Sequence, residues 1–451
     1  MSRGTNRRRF MQTTAALGVG FWVAGGVSPR ESRSANETIN FASVGVNGKG
    51  SSDSADAGRS GNMVAICDID DQSLAKAATR FTDAKKYNDY RKMLDEMGKS
   101  IDAITVSTPD HCHGVIGAAA MKLGKHCFIQ KPLTKSLHEA RVLGQLAKDN
   151  KVATQMGNQG TASNSLREAA AVVKSGVLGT IKEVHVWTNR PVWPQGIDKP
   201  TDTPECPSHV HWPEFVGPVE NRPYNPVYHP FKWRGWWAFG TGALGDMACH
   251  TLNMPFMALD LRDPVSVQAT TSGHNMETFP SWSVIDYKFP ERNGRAALTF
   301  MWYDGGKKPD PALFQGAKID SSGCLVIGEK GALYAPGDYA ERGLQMLGGI
   351  TKPEVEYKKS PGHFEEWVAA IKGGESAMSN FPNYAAPLTE TVLLGNLAVW
   401  AAAGEQDPEK KKAQGDVVGK KIEWDAANLT ATNAPEVASI VKPEMKNGYS
   451  L

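Results

Sequence analysis

Asp246 and His250 stand four residues apart in a stretch that reads as helix, so a carboxylate and an imidazole share one face and can address one bound hydroxyl. An imidazole titrates near neutrality and suits a general base. On an ordinary helix surface the same pair is more often a simple hydrogen bond. Lys131-Pro132 follows the apolar run His126–Gln130, where a parallel strand would end beside a bound dinucleotide. Gly45-Val46-Asn47-Gly48-Lys49-Gly50 follows another apolar run and precedes a helix-like segment. Dinucleotide-binding turns read G-x-G-x-x-G; Gly45 and Gly50 fit, while Asn47 replaces the glycine that lets backbone approach a pyrophosphate. Asn accepts positive φ better than most residues, and Gly48 can supply the missing room. A tight turn without a ligand is the competing reading.

Asp68 lies 23 residues after Gly45, at the end of the next apolar run, where an acidic side chain accepts from both ribose hydroxyls of NAD. Its neighbours Asp70 and Asp71 bring no positive charge for a 2′-phosphate, which favours NAD over NADP; capping of the next helix is the plainer alternative. Thr108-Pro109-Asp110-His111-Cys112-His113 forms a polar turn after a third run. Its two histidines have no third ligand near them in sequence, so no metal site is expected.

These residues need a scaffold. Apolar runs at Thr38–Val46, Met63–Ile69, Ile101–Thr108, His126–Gln130 and Val152–Met156 alternate with helical segments such as Gly114–Leu123 and Ser136–Asp149, which indicates a doubly wound parallel sheet. After residue 160 the pattern changes. A helix at Ser165–Ser175 precedes the alternating run Ile181–Thr188, a Pro-, Trp- and Tyr-rich loop over 191–235, and a helix at Gly245–Leu259. Strand-like runs follow at Val265–Thr271, Trp282–Phe289, Ala296–Tyr303 and Cys324–Gly328, then closing helices at His363–Ile371 and Thr389–Ala403. The expectation is an α/β domain over 36–160 and an α+β domain with an antiparallel sheet over 161–451. Six of the twelve tryptophans fall between positions 187 and 237, and indole faces suit the apolar face of a sugar ring, although at least half should simply fill the core.

The first 35 residues read as a twin-arginine export signal and linker. Asn6-Arg7-Arg8-Arg9-Phe10-Met11-Gln12 precedes the mildly apolar Thr13–Val27, which is too short to span a bilayer, and no cysteine near the cleavage region offers a lipid anchor. That route carries folded proteins and implies a periplasmic or other extracytoplasmic location. Removing Arg3, Arg7, Arg8 and Arg9 takes the formal charge from +2 to −2. A near-neutral mature chain argues against nucleic acid or an anionic membrane as partner. The six cysteines form no CxxC pair and read mostly as buried free thiols.

Taken in order, the glycine turn, Asp68, Thr108-Pro109-Asp110-x-x-His113, Gln130-Lys131-Pro132 and Asp246-x-x-x-His250 resemble the glucose–fructose oxidoreductase / inositol dehydrogenase (Gfo/Idh/MocA) family over roughly residues 38–405. Tyr228–Arg234 and Gly240–Asp246 are similar to a secreted bacterial branch of it. The resemblance implies a Rossmann domain followed by an α+β domain whose large, mostly antiparallel open sheet supports the sugar site and a homo-oligomer interface. It implies cofactor contacts from Gly45, Asn47, Gly48, Lys49, Gly50, Asp68, Thr108, Pro109, Asp110, His113, Gln130 and Lys131. Lys131 would lie beside nicotinamide and substrate and stabilise a developing alkoxide. His250 would act as base, and Asp246 would orient it or bind a neighbouring hydroxyl. Gln130 replaces the usual Glu and leaves Lys131 without an adjacent carboxylate; Asp110 replaces the usual Asn. Trp187, Tyr228, His229, Lys232, Trp233 and Arg234 are candidate carbohydrate contacts. The implied activity is NAD-dependent oxidation of a sugar, polyol or glycoside hydroxyl. The alternatives are NAD-assisted glycoside cleavage through transient oxidation and elimination, and a non-catalytic sugar-binding protein.

Overall fold

The computed structural model describes residues 38–405 and 415–451. The export signal read at 1–35 lies outside the described residues. Six parallel strands, β1 (Asn40–Val44), β2 (Asn62–Cys67), β3 (Lys85–Tyr87), β4 (Ala103–Val106), β5 (His126–Ile129) and β6 (Thr154–Met156), form one sheet in the order β3-β2-β1-β4-β5-β6. Strands β1, β4 and β5 are short apolar runs buried on both faces, as a sheet covered by helices on each side requires. The covering helices are α1 (Lys49–Ser60), α2 (Asp71–Ala78), α3 (Tyr90–Met97), α4 (Asp110–Lys122) and α5 (Leu137–Asp149), the last started by a reciprocal Ser136/Glu139 cap. Because β1 pairs with β2 on one side and β4 on the other, the winding reverses there and opens a crevice at the strands' carboxyl ends. The glycine turn, Asp68, the Thr108 turn and Lys131 all follow strand ends on that rim. Strand β3, absent from the sequence reading, has only Tyr87 of its three residues buried, so it carries almost no apolar signal.

The second sheet has ten strands. Helix α6 (Asn164–Lys174) leads into β7 (Ile181–Trp187), and the short helix α7 (Trp212–Val216) lies within the aromatic-rich loop. Helices α8 (Gly242–Thr251) and α9 (Asn253–Leu259) precede β8 (Ser266–Thr271), β9 (Ser283–Phe289), β10 (Leu298–Tyr303), β11 (Gly323–Gly328), β12 (Ala332–Pro336) and β13 (Gln345–Leu347). Helix α10 (His363–Ile371) and helix α11 (Ala386–Trp400) come next, then β14 (Val417–Val418), β15 (Ile422–Asp425) and β16 (Thr430–Ala431). The order is β13-β12-β11-β7-β10-β9-β8-β15-β16, with β14 also on β8; only β7 and β10 run parallel. The predicted helix Gly245–Leu259 is instead two helices. Pro255 lacks the N–H that would bond back to Thr251, so the chain breaks at Leu252.

Strands β9 and β10 alternate buried and part-exposed residues, and α11, buried almost all round, packs against β8, α8 and α5. Helix α11 thereby joins the two sheets through a single apolar core. The division at residue 160 describes chain order better than packing. Phe364 and Trp367 of α10 return to the first sheet and join Phe41 and Phe128, with Trp367 Nε1 donating to Ala153 O at 3.0 Å. Among the described residues no helix is long and apolar enough to cross a membrane. All six cysteines are free; five are buried and Cys206 is partly exposed.

Candidate active site

A cleft of about 620 Å³ runs from the glycine turn to α8. Two glycines in the turn are sterically required. A Cβ on Gly45, whose φ is +78°, would stand 2.5 Å from Ser107 O, and one on Gly50 would stand 2.0 Å from Gly45 O. Gly48 has φ +54° and open space where a Cβ would project. This corrects the expectation for Asn47: Gly48 takes the left-handed backbone, while Asn47 keeps an ordinary negative φ and accepts from Gly48 N at 2.8 Å through its side chain. No side chain caps the N-terminus of α1, which starts from this turn, so the helix presents its positive dipole end to the cleft.

Asp68 Oδ2 accepts from Val46 N at 2.9 Å and Oδ1 from Asp70 N at 3.0 Å, which aims the carboxylate at the turn. Burial raises its pKa to about 6, the backbone donors offset part of that rise, and its charged neighbour is Asp70 rather than a cation. Tyr90 and Tyr449 close this end of the cleft with ring centroids 6.4 Å apart, and the Arg91 guanidinium lies 4.6 Å from the Tyr449 ring. Asn447, two residues before Tyr449, anchors the segment by donating to Gly217 O at 2.8 Å and Val219 O at 2.9 Å. An uncapped helix start beneath a glycine cradle, an acidic side chain beside it and two aromatic rings beyond fit the pyrophosphate, ribose and adenine of a dinucleotide.

At the other end the three residues singled out for chemistry meet. Lys131 Nζ donates to Asp246 Oδ1 at 2.7 Å and to Asp246 O at 2.9 Å. The sequence expectation left Lys131 without a carboxylate; α8 supplies one from 115 residues away. Burial alone would raise the Asp246 carboxyl, but Lys131 and Arg234 outweigh it and bring the pKa down to about 2. His250 lies one helical turn on, its ring edge-on to Tyr339 at 4.9 Å, and its Nδ1 is buried with no hydrogen-bond partner. Burial and then Lys131 hold the imidazole well below its ordinary pKa, so it is neutral at physiological pH.

Gln130 makes a further contact. Its Nε2 donates to Asp53 Oδ2 at 2.8 Å, Ser107 Oγ donates to the same oxygen at 2.7 Å, and Lys49 Nζ pairs with Asp53 Oδ1. Asp53 of α1 thereby ties the glycine turn to the strand ends after β4 and β5. Asp110, beside the cleft, accepts from Thr241 Oγ1 at 2.6 Å, and burial raises its pKa.

Other expectations divide. Thr108, Pro109, His229, Trp233 and Arg234 line the cleft. His113 does not; its ring nitrogens lie 2.8 Å from Thr108 O and Pro132 O, so it is a buried strut between two cleft-forming turns. Trp187 is fully buried against Phe314 and Tyr334 in a separate cluster, because β7 directs it to the far side of the second sheet. Tyr228 is buried among Trp236, Phe239 and Phe215. Lys232 is exposed outside the cleft lining. Trp193, one of the six clustered tryptophans, lines the cleft as well; Arg190, Tyr339 and Tyr449, and Asp53 behind the glycine turn, were missed, since each lies in a loop or helix with no local motif.

A parallel sheet in this strand order, with a nucleotide-shaped crevice and a Lys/Asp/His group supplied partly by a second sheet domain, defines a two-domain dinucleotide-binding protein of the Rossmann class. Residues 39–158 match the profile described as "Oxidoreductase family, NAD-binding Rossmann fold", and residues 162–321 match its companion, "Oxidoreductase family, C-terminal alpha/beta domain". The chain belongs to the Gfo/Idh/MocA oxidoreductase family. It is 23% identical over 190 residues to a levoglucosan dehydrogenase of Pseudarthrobacter phenanthrenivorans, covering 42% of this chain and 40% of that protein. It is 26% identical over 125 residues to an inositol 2-dehydrogenase of Salmonella typhimurium, covering 27% of this chain and 37% of the relative. The matched regions thus span well under half the length of these curated relatives. Among solved structures, the WlbA dehydrogenase of Bordetella pertussis, in complex with NADH and UDP-GlcNAcA, superimposes with a TM-score of 0.57 at 16% identity, covering 86% of this chain and 99% of that one. That likeness establishes the shared fold.

Proposed function

We propose that the protein is an NAD-dependent oxidoreductase acting on a hydroxyl of a sugar, polyol or glycoside. The observation that carries this reading is the convergence of Lys131, Asp246 and His250 at the mouth of a crevice shaped for a dinucleotide. A nicotinamide bound there would supply the hydride acceptor for a carbinol carbon. His250, which lines the cleft and is neutral, takes the hydroxyl proton. Lys131 stabilises the oxyanion that forms as the proton leaves. Asp246 holds the ammonium in place through Oδ1 and its backbone carbonyl, rather than orienting the imidazole directly. Trp193 and Trp233 add apolar surface to the wall of the cleft beside the sugar.

The twin-arginine segment supports export of a folded, cofactor-loaded protein, with the nicotinamide recycled in place. The test is mass analysis of nucleotide released on denaturing the purified protein, followed by nicotinamide absorbance during incubation with a panel of sugars and glycosides. Bound NAD(H) and carbohydrate-dependent redox change, lost in His250→Gln, are expected. Aglycone release without net reduction assigns a closed redox cycle. Failure to bind any nicotinamide nucleotide, or turnover unaltered by His250→Gln, refutes the proposal.

A further inference from the structure

Three cations converge on Asp246, and one suffices to neutralise it. Lys131 Nζ is 2.7 Å from Oδ1, Arg234 Nε is 3.4 Å from the same oxygen, and Arg190 Nε is 4.0 Å from Oδ2. Asp110 is the other cleft-lining carboxylate at this end and already accepts from Thr241. Among the cleft-lining residues, Lys131, Arg190 and Arg234 therefore face two carboxylates; Asp338 and Glu341 sit beside Tyr339 outside the lining, where Glu341 accepts from Tyr339 N and pairs with Arg342. The acidic groups Asp68, Asp70, Asp89 and Glu214 line the opposite, nucleotide-binding end, so the positive excess is confined to the substrate end.

Both guanidiniums are held in place with donors to spare. Arg234 lies over Trp233 at 4.2 Å and Phe231 at 5.0 Å, and its Nη1 donates to Phe231 O at 3.2 Å. Arg190 pairs through Nη1 with Asn189 Oδ1. Each side chain is 26% exposed and lines the cleft. A guanidinium has five N–H donors in a planar fork that matches the two oxygens of a carboxylate. A neutral polyol could accept from these donors but would leave the surplus charge unmatched.

We propose that Arg190 and Arg234 bind a carboxylate on the substrate, which makes the preferred carbohydrate a uronic acid or its glycoside. The proposal rests on the oxidoreductase reading of the site. It is tested with NAD-loaded protein and matched methyl glycosides of glucose and glucuronic acid, and of galactose and galacturonic acid. Binding is followed by calorimetry and turnover by nicotinamide absorbance. Charge-assisted pairing predicts a uronide preference of about 10- to 100-fold in one matched pair, collapsing several-fold or more in Arg190→Gln and in Arg234→Gln. Turnover of neutral sugars with no uronide preference overturns the substrate assignment and leaves the oxidoreductase reading intact. Selective uronide binding without redox change sustains the assignment and overturns the oxidoreductase reading. A sulfated or phosphorylated sugar that binds more tightly than its matched uronide overturns the carboxylate assignment, as does the absence of binding by every uronide.

Discussion

Asp68 provides the sharpest test of the nucleotide end. Burial holds its folded pKa at about 6 against an ordinary value of 3.8, while its oxygens accept from Val46 N and Asp70 N. If the ionised carboxylate accepts from ribose hydroxyls, only the ionised fraction binds well. That fraction is nearly complete near pH 7.5 and about one in eleven near pH 5. The dissociation constant for ADP-ribose, which lacks the nicotinamide and so isolates this end, should rise about tenfold between those pH values. Asp68→Asn should weaken binding by about 10- to 100-fold near pH 7.5, the worth of a charge-assisted hydrogen bond, and show little further pH dependence. Stability supplies an independent check. A carboxyl whose folded pKa lies above its unfolded value binds its proton more tightly when folded, so its contribution to stability falls as pH rises from about 4 to about 6. The roughly two-unit rise corresponds to at most about 3 kcal/mol. The difference in urea stability between cofactor-free wild type and Asp68→Asn should drift by up to that amount across the window, whatever constant offset the lost acceptor adds. Parallel pH profiles for the two proteins, in binding and in unfolding, would refute the argument.

Lys131→Met should lower the rate of hydride transfer by about 100- to 1000-fold, the usual loss on removing one oxyanion donor, as measured by single-turnover reduction of bound nucleotide. Because His250 is neutral well below pH 6.5, the wild-type kcat/KM for the carbohydrate, measured with nucleotide saturating at every pH, should show no inflection near the ordinary histidine pKa; a pH–rate profile checks this. Gln130→Glu would put a second carboxyl beside Asp53, so it should destabilise the protein by about 1–3 kcal/mol near pH 8 and by less near pH 5, as followed by thermal melts at both pH values. Tyr449→Ala should raise the NAD dissociation constant by about two- to tenfold, the worth of one aromatic contact, in a fluorescence titration.

Much of the site was legible because a doubly wound sheet repeats strand, turn and helix, and its ligand-binding turns follow directly after apolar runs. Gly45, Gly50, Asp68 and Lys131 could be placed on that rim from their positions relative to those runs. Trp187 and Tyr228 could not be separated from Trp233 by type, since an aromatic side chain serves a core and a sugar platform equally well. Only the direction in which β7 presents Trp187, and the packing of Tyr228 into the loop cluster, decided that neither faces the cleft.

The order of short apolar runs and turn residues by itself determined the first domain, its strand-end cradle and the acidic residue beside it, because local backbone chemistry dictates those features. Tertiary structure decided the partners. That Asp246 neutralises Lys131, that Asp53 receives the Gln130 amide, and that Tyr449 walls the nucleotide end all depend on segments far apart in the chain being brought together by the fold. Charge pairing and ring stacking act through space over a few ångströms, and no local pattern of residues encodes that proximity.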